Sequence, residues 1–445
     1  MLKKMNLKLL GAVSALMCLA PDAFAQAAAP VIDKGDTAWM LVSALLVLMM
    51  TLPGLALFYG GLVRKDNVLA VLMQTLAVAC IVSLVWPIIT YSMVFTEGTG
   101  FSGGLSKLFL KGVGVDSVTG TIPETVFMLF QMKFAIITCA IILGSIADRI
   151  KFSAVLVFSV LWSIFVYAPI AHWVWGPGGF LGGVGMTDYK GLLGFGVALD
   201  FAGGTVVHIS SGVAGLVAAL VLGKSVQVSQ SSSNNLILSV IGGALLWVGW
   251  FGFNAGSTLA ANNLAGMAFL VTNTAAATAC MAWVLLEWMV KGKPSVAGAL
   301  SGFVAGLVAI TPGSGFVDFG ASIVFGIAAS VFCFFAVAFM KERLGYDDSL
   351  DAFGIHGVGG IVGALLTGVY ASPAINPVGV GLLAGNPNQV VAQALAVVVT
   401  VAYSAAVTFI ILTLLKYTIG IRVDEHTERS GLDMALHGEK VHVYN

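Results

Sequence analysis

His208 and His356 are the residues from which chemistry is most readily expected. Each sits in an apolar, glycine-spaced run: Asp200-Phe-Ala-Gly-Gly-Thr-Val-Val-His208-Ile-Ser-Ser-Gly212, and Asp351-Ala-Phe-Gly-Ile-His356-Gly-Val-Gly-Gly360. An imidazole can take up and release a proton near neutral pH. An ionisable side chain at bilayer depth marks a protected path inside a protein rather than a lipid-facing surface. A transport path is therefore the first expectation. Two other chemistries could use the same residues. Ser257 with a histidine could act as nucleophile and base, an intramembrane hydrolase, but Ser257 is expected nearer the outer surface than either imidazole and no oxyanion site is evident. Two histidines without a convergent third ligand make a poor zinc site, so no metal and no cofactor is expected.

The elements that must carry these residues are membrane helices. The chain is 445 residues long, 58% hydrophobic and only 9% charged, with a mean hydropathy of +0.98. Soluble domains hold about a quarter charged residues. The formal net charge of zero argues against a nucleic-acid partner, and the partner implied by composition is membrane lipid. Cys18, Cys80, Cys139, Cys280 and Cys333 lie in apolar stretches without metal-ligand spacing and read as small buried hydrophobes.

Residues 1–25 read as a cleavable signal peptide: Lys3 and Lys4, a short apolar run, then Ala23-Phe24-Ala25. Apolar segments follow at roughly 39–61, 68–95, 125–147, 152–175, 199–223, 235–256, 264–290, 296–311, 317–340, 352–371 and 388–418, each of bilayer-spanning length except the short eighth. Eleven spans with an outside N-terminus place the C-terminus in the cytoplasm of a multi-pass inner-membrane protein. The basic residues agree: Arg64, Lys65, Arg149, Lys151, Lys224, Lys291, Lys293, Lys341 and Arg343 fall inside, and only Lys107, Lys111 and Lys190 outside.

Gly54-Leu-Ala-Leu-Phe58-Tyr-Gly-Gly61 in the first span resembles Gly249-Trp-Phe-Gly-Phe253-Asn-Ala-Gly256 in the sixth, and His208 in the fifth matches His356 in the tenth. The expected fold is all-α: two inverted five-helix repeats plus a peripheral eleventh helix. The expected organisation is a periplasmic segment 26–38, a first repeat 39–223, a cytoplasmic linker 224–234, a second repeat 235–371, an outer loop with the eleventh helix 372–418, and a cytoplasmic tail 419–445.

Helix direction and a rise of about 1.5 Å per residue then set depths. Phe130, Trp175 and Ser257 fall at an outer mouth, Phe134 and Phe253 below them as a gate, and the two imidazoles converge near the midplane. Aromatic faces attract a compact cation by about 0.5–2 kcal/mol each, and a serine hydroxyl can accept a hydrogen bond from it. With no carboxylate expected there, the mouth suits a cation that can lose its charge. Asp200 and Asp351 are expected to cap their helices, and His172 to be structural. Trp173 is open to a place in the interfacial aromatic belt.

Asp200-Phe-Ala-Gly-Gly-Thr-Val-Val-His208, Trp250-Phe-Gly-Phe-Asn-Ala-Gly-Ser257, Ala171-His-Trp-Val-Trp175-Gly and Phe353-Gly-Ile-His356-Gly resemble the ammonium transporter (Amt/Mep/Rh) family, especially its bacterial members. The resemblance runs from about Gly35 to the C-terminus. It implies homotrimers with a pore in each subunit, ammonium recruitment by Phe130, Trp175 and Ser257, gating by Phe134 and Phe253, and a twin-histidine pair at 208 and 356. Asp200 corresponds to the family's buried aspartate, important for transport without direct substrate contact. The polar tail after Lys416 is similar to the family's cytoplasmic region, which docks a PII-type signal protein. Nitrogen uptake follows, not catalysis; a passive ammonia or gas channel and an ammonium sensor are the alternatives. Lys133 departs from the family's small or neutral residue and is expected to snorkel outward.

Overall fold

The computed structural model describes residues 31–182, 191–226 and 235–441; the expected signal peptide lies outside them. Among the described residues ten helices are long and apolar enough to span a bilayer. They are α1 (Lys34–Leu62), α2 (Lys65–Phe95), α3 (Glu124–Leu143), α4 (Phe152–Trp175), α5 (Gly204–Leu222), α6 (Leu236–Gly256), α7 (Asn263–Lys291), α9 (Phe319–Leu344), α10 (Phe353–Tyr370) and α11 (Asn388–Thr418). The shorter α8 (Val296–Ile310) occupies the expected eighth place. A two-stranded hairpin, β1 (Val118–Thr119) with β2 (Ile122–Pro123), precedes α3. The protein is thus an all-α membrane bundle. Trp175 and Ser257 stand at one end of the bundle, the expected mouth face, and the C-terminal segment at the other, the tail face.

The helices are held by close approach rather than by a hydrophobic drive, because lipid is as apolar as leucine. Gly212 on α5 stands so near α10 that a Cβ would lie 2.3 Å from the amide nitrogen of Gly357. Gly360 on α10 faces α5 in return, where a Cβ would lie 3.0 Å from the carbonyl of Gly204. Both glycines stand four residues after their histidine, so the crossing that joins the imidazoles is reciprocal. Helix α11 laces itself across this pair with buried polar groups. Gln393 accepts from the Leu199 amide at 2.6 Å and donates to the carbonyls of Leu199 and Ala364 at 2.8 and 3.0 Å, and Ser404 donates to the Ser210 carbonyl at 2.7 Å.

On the tail face the chain folds back over the helix ends. Ile421 accepts from the Lys151 amide and Val423 donates to the Arg149 carbonyl. Arg422 clasps the buried Glu428 with two nitrogens and donates to the carbonyls of Leu222 and Lys224, each at 2.8 Å. Asp433 accepts from the Ala70 amide at 2.8 Å, and so caps α2. Glu428 is 2% exposed and Arg422 27%, so removing Arg422 leaves a buried carboxylate short of its cation at a cost of about 1–3 kcal/mol. Arg422→Ala should therefore release the strap locally. Limited proteolysis should cut the tail faster while the bundle persists; an unchanged cleavage rate would show that Arg422 does not hold it.

Candidate functional site

The site grows from two helix starts of the same build. Before α5 the chain turns at Gly203, whose φ of +113° is left-handed and whose added Cβ would strike Val207. The turn lets the Asp200 carboxylate reach the free end of the helix. Oδ1 accepts from the amides of Gly203 and Gly204 at 2.8 and 2.6 Å, and Oδ2 from Thr205 and Val206 at 2.8 and 3.0 Å. Four amides that a helix N-terminus leaves unpaired are thereby satisfied. The Asp200 carbonyl accepts from the Trp175 indole nitrogen at 2.8 Å, which fixes that ring at the mouth.

The tenth helix does the same with a different residue from the one expected. Asp348, not Asp351, accepts from the amides of Ala352 and Phe353, at 3.1 and 2.8 Å. Asp351 instead pairs with Lys341 at 2.7 Å. The physical reason is reach: Asp351 directly adjoins the helix and is twisted to a φ of +58°, whereas Asp348 stands one turn back. The signal was present in the spacing, since Asp200 precedes His208 by eight residues and Asp348 precedes His356 by eight.

From these starts the two imidazoles meet. His208 and His356 bring their Nδ1 atoms to 3.2 Å, with ring centroids 5.2 Å apart and planes inclined by 26°. Only one Nδ1 can donate in that contact while the other accepts, so the ring that accepts carries no proton on Nδ1. The Nε2 of His208 is buried and makes no hydrogen bond. Trp250, absent from the sequence-based set, stacks on His208 at 5.4 Å and is itself anchored by its indole nitrogen to Thr311 at 2.9 Å.

Above His208 stands a column of rings. Phe253 lies 6.0 Å from His208, Phe134 stacks on Phe253 at 4.2 Å, and Phe134 also meets Phe130 at 4.9 Å and Trp175 at 5.9 Å. Phe130, Phe134 and Phe253 are at most 1% exposed, while Trp175 and Ser257 are half-buried. The expected residues are therefore brought together, with one adjustment: Phe130 stands behind Phe134 rather than open at the mouth. The Ser257 hydroxyl donates to the Phe253 carbonyl at 2.8 Å, which leaves its oxygen lone pairs able to accept. Phe134 and Phe253, packed face to face, close the column.

His172 places its two ring nitrogens at 2.8 and 2.9 Å from the carbonyls of Val94 and Thr99, a structural clamp on the loop after α2. Trp173 is 1% exposed and bonded to the Phe101 carbonyl, a buried position that takes it out of the aromatic belt. Lys133 is half-buried, and its side chain makes no hydrogen bond or ion pair with a described residue. No metal-binding group of three or more histidine, cysteine or acidic side chains occurs among the described residues.

Bilayer-length apolar helices, whose central pair meets through two imidazoles beneath stacked rings, define a multi-pass membrane protein. The profile of the Ammonium Transporter Family matches residues 38–442. The chain is 49% identical over 413 residues to the ammonium transporter of Bacillus subtilis, covering 92% of this chain and 99% of that one. Its fold superposes on the crystal structure of Mep2 from Candida albicans with a TM-score of 0.80 at 34% identity, over 89% of this chain and 87% of that one. A solved sensor Amt protein is similar with a TM-score of 0.81 at 28% identity, covering 91% and 98%. The chain belongs to the ammonium transporter family, whose members are transporters and not enzymes.

Proposed function

We propose that the protein carries ammonium nitrogen across the cell membrane by taking up the cation and passing the neutral base. The contact between His208 and His356 at the foot of a buried aromatic column carries this reading. A cation crossing that apolar column would lose its hydration at a cost of many kcal/mol, and ammonia would not. Trp175 and Ser257 recruit ammonium at the mouth with Phe130 behind them. Phe134 and Phe253 gate, ammonia passes the two imidazoles, and the proton follows through them or beside them. Purified protein in liposomes should give a transient current on an ammonium pulse; equal traces from empty liposomes would overturn the reading.

The same family likeness supports a homotrimer; the basic n-region with Ala23-Phe24-Ala25 supports a cleaved leader, the distribution of lysine and arginine an outside N-terminus and an inside C-terminus, and the internal similarity the repeat boundaries given above. The family likeness also supports PII docking on the tail. A chain cut after Thr418 should lose recovery of a PII protein in pull-down, and equal recovery would count against tail-dependent docking. Lys133 lies one position from the Phe130–Phe134 face. Lys133→Ser should change the apparent ammonium affinity by less than about twofold, equivalent to ~0.4 kcal/mol; a clear gain in affinity in uptake assays would place the ammonium group in the mouth.

A further inference from the structure

The two imidazoles are held differently. Among the described residues the His356 ring meets one other ring, that of His208, and it also borders a cavity of about 250 Å³. His208 is backed by the Trp250 indole, with centroids 5.4 Å apart and planes inclined by 23°. The similarity between α1 and α6 puts Leu55 where Trp250 stands, so the second half of the chain has a ring at a place where the first has none. The end of α8 holds that ring. Its Nε1 donates to the Thr311 hydroxyl at 2.9 Å, and the hydroxyl donates in turn to the Leu307 carbonyl at 2.7 Å. The one hydroxyl proton is thereby committed, which leaves a lone pair facing the indole. Trp250 and Thr311 are 1% and 0% exposed, so no bulk water stands ready to replace the bond.

The same turn seats the start of α5. The Pro312 carbonyl accepts from the Phe201 amide at 3.1 Å, and a Cβ on Gly204 would lie 2.5 Å from the Pro312 ring. The other half of the chain repeats this seat. At the end of α3 the carbonyls of Gly144 and Ser145 accept from the amides of Leu350 and Ser349, at 2.8 and 3.5 Å. Phe201 precedes His208 by seven residues, and Ser349 precedes His356 by seven. Each histidine-bearing helix therefore rests on the end of a helix from the opposite half. The tether through an indole belongs to His208 alone.

We propose that Thr311 is a positioning residue: through the Trp250 indole it holds the His208 ring in the plane at which the two Nδ1 atoms meet, which makes His208 the fixed member of the pair; this rests on the transport reading above. A hydrogen bond weakens steeply as donor and acceptor fall out of line, so a ring free to tilt about its Cβ–Cγ bond would lose the contact with His356. Stacking on a broad ring that is itself anchored opposes that tilt. An unanchored indole could turn with the imidazole and would oppose it less. Thr311 acts on the imidazole through the indole and takes no part in the proton's movement.

The test uses the full chain in proteoliposomes under ammonium pulses. Thr311→Val keeps the shape of the side chain but removes the acceptor, which strands the buried indole N–H. Its maximal current should fall about fivefold or more, while the ammonium concentration giving half the maximal current moves less than about twofold, because the mouth is untouched. Thr311→Ser, which restores the hydroxyl, should recover more than about half of the wild-type current. Solid-state NMR of protein carrying ¹⁵N-labelled histidine reads the ring independently of transport. The imidazole signals that vanish in His208→Ala should shift in Thr311→Val and return in Thr311→Ser. If Thr311→Val does not elute as the wild type does, Trp250→Phe, which deletes the N–H and strands no donor, replaces it under the same expectations for current and signals. A wild-type current in Thr311→Val, unshifted imidazole signals, or a Thr311→Ser variant no better than Thr311→Val overturns the tether and leaves the transport reading standing. A silent wild type overturns both.

Discussion

Asp200→Ala should abolish ammonium-driven current and sharply lower the yield of folded protein. Four buried amides, those of Gly203, Gly204, Thr205 and Val206, end on this one carboxylate. Each buried donor left without a partner costs about 1–3 kcal/mol. Even with partial relaxation the total is on the order of 5 kcal/mol, comparable with the whole stability of many domains. The loss also frees the segment whose carbonyl holds Trp175 and whose helix carries His208. Asp200→Asn keeps one oxygen for two of the amides but turns an NH₂ towards the other two, so it should lie between wild type and alanine. Asp348 accepts only two amides, and Asp348→Ala should be milder than Asp200→Ala. Thermal melts in detergent, read by size-exclusion chromatography, and current in liposomes rank the three variants. Alanine at 200 with a wild-type melt and full transport would refute the capping argument.

Replacing both histidines, His208→Ala with His356→Ala, should cut ammonium-driven current at least about tenfold, the equivalent of ~1.4 kcal/mol on the barrier. The more informative comparison is with the single variants. The Nδ1 to Nδ1 contact exists only while both rings are present, so each single change already removes it. The two losses should therefore be far from additive, with the double variant little worse than the poorer single one. Independent roles for the rings would instead multiply the losses. Intact currents together with intact methylammonium uptake in the double variant would dismiss the relay altogether.

Much of the architecture was legible before any coordinates. Long apolar runs and the one-sided distribution of lysine and arginine specify helices, their order and an expected direction, because bilayer thickness and charge act on each segment separately. The same logic brought His208 and His356 to one depth. It missed Asp348, although the eight-residue interval from each aspartate to its histidine was there to be counted. It also missed Trp250 and Gln393. A buried polar residue in an apolar run is itself a signal, and Gln393 in α11 carried it.

What could not be read lies in rotation and reach. Helices such as α5 are apolar all round, so hydrophobic periodicity names no preferred face. The sequence by itself determined that two imidazoles, several rings and a serine would occupy neighbouring layers of a helical bundle. Only the tertiary structure decided that the imidazoles meet through Nδ1, that Phe134 lies flat on Phe253 with Phe130 behind it, and that Asp348 caps while Asp351 faces a cavity. Those outcomes depend on contacts between helices far apart in the chain, where a glycine at one crossing sets how closely two backbones approach and therefore which atoms touch.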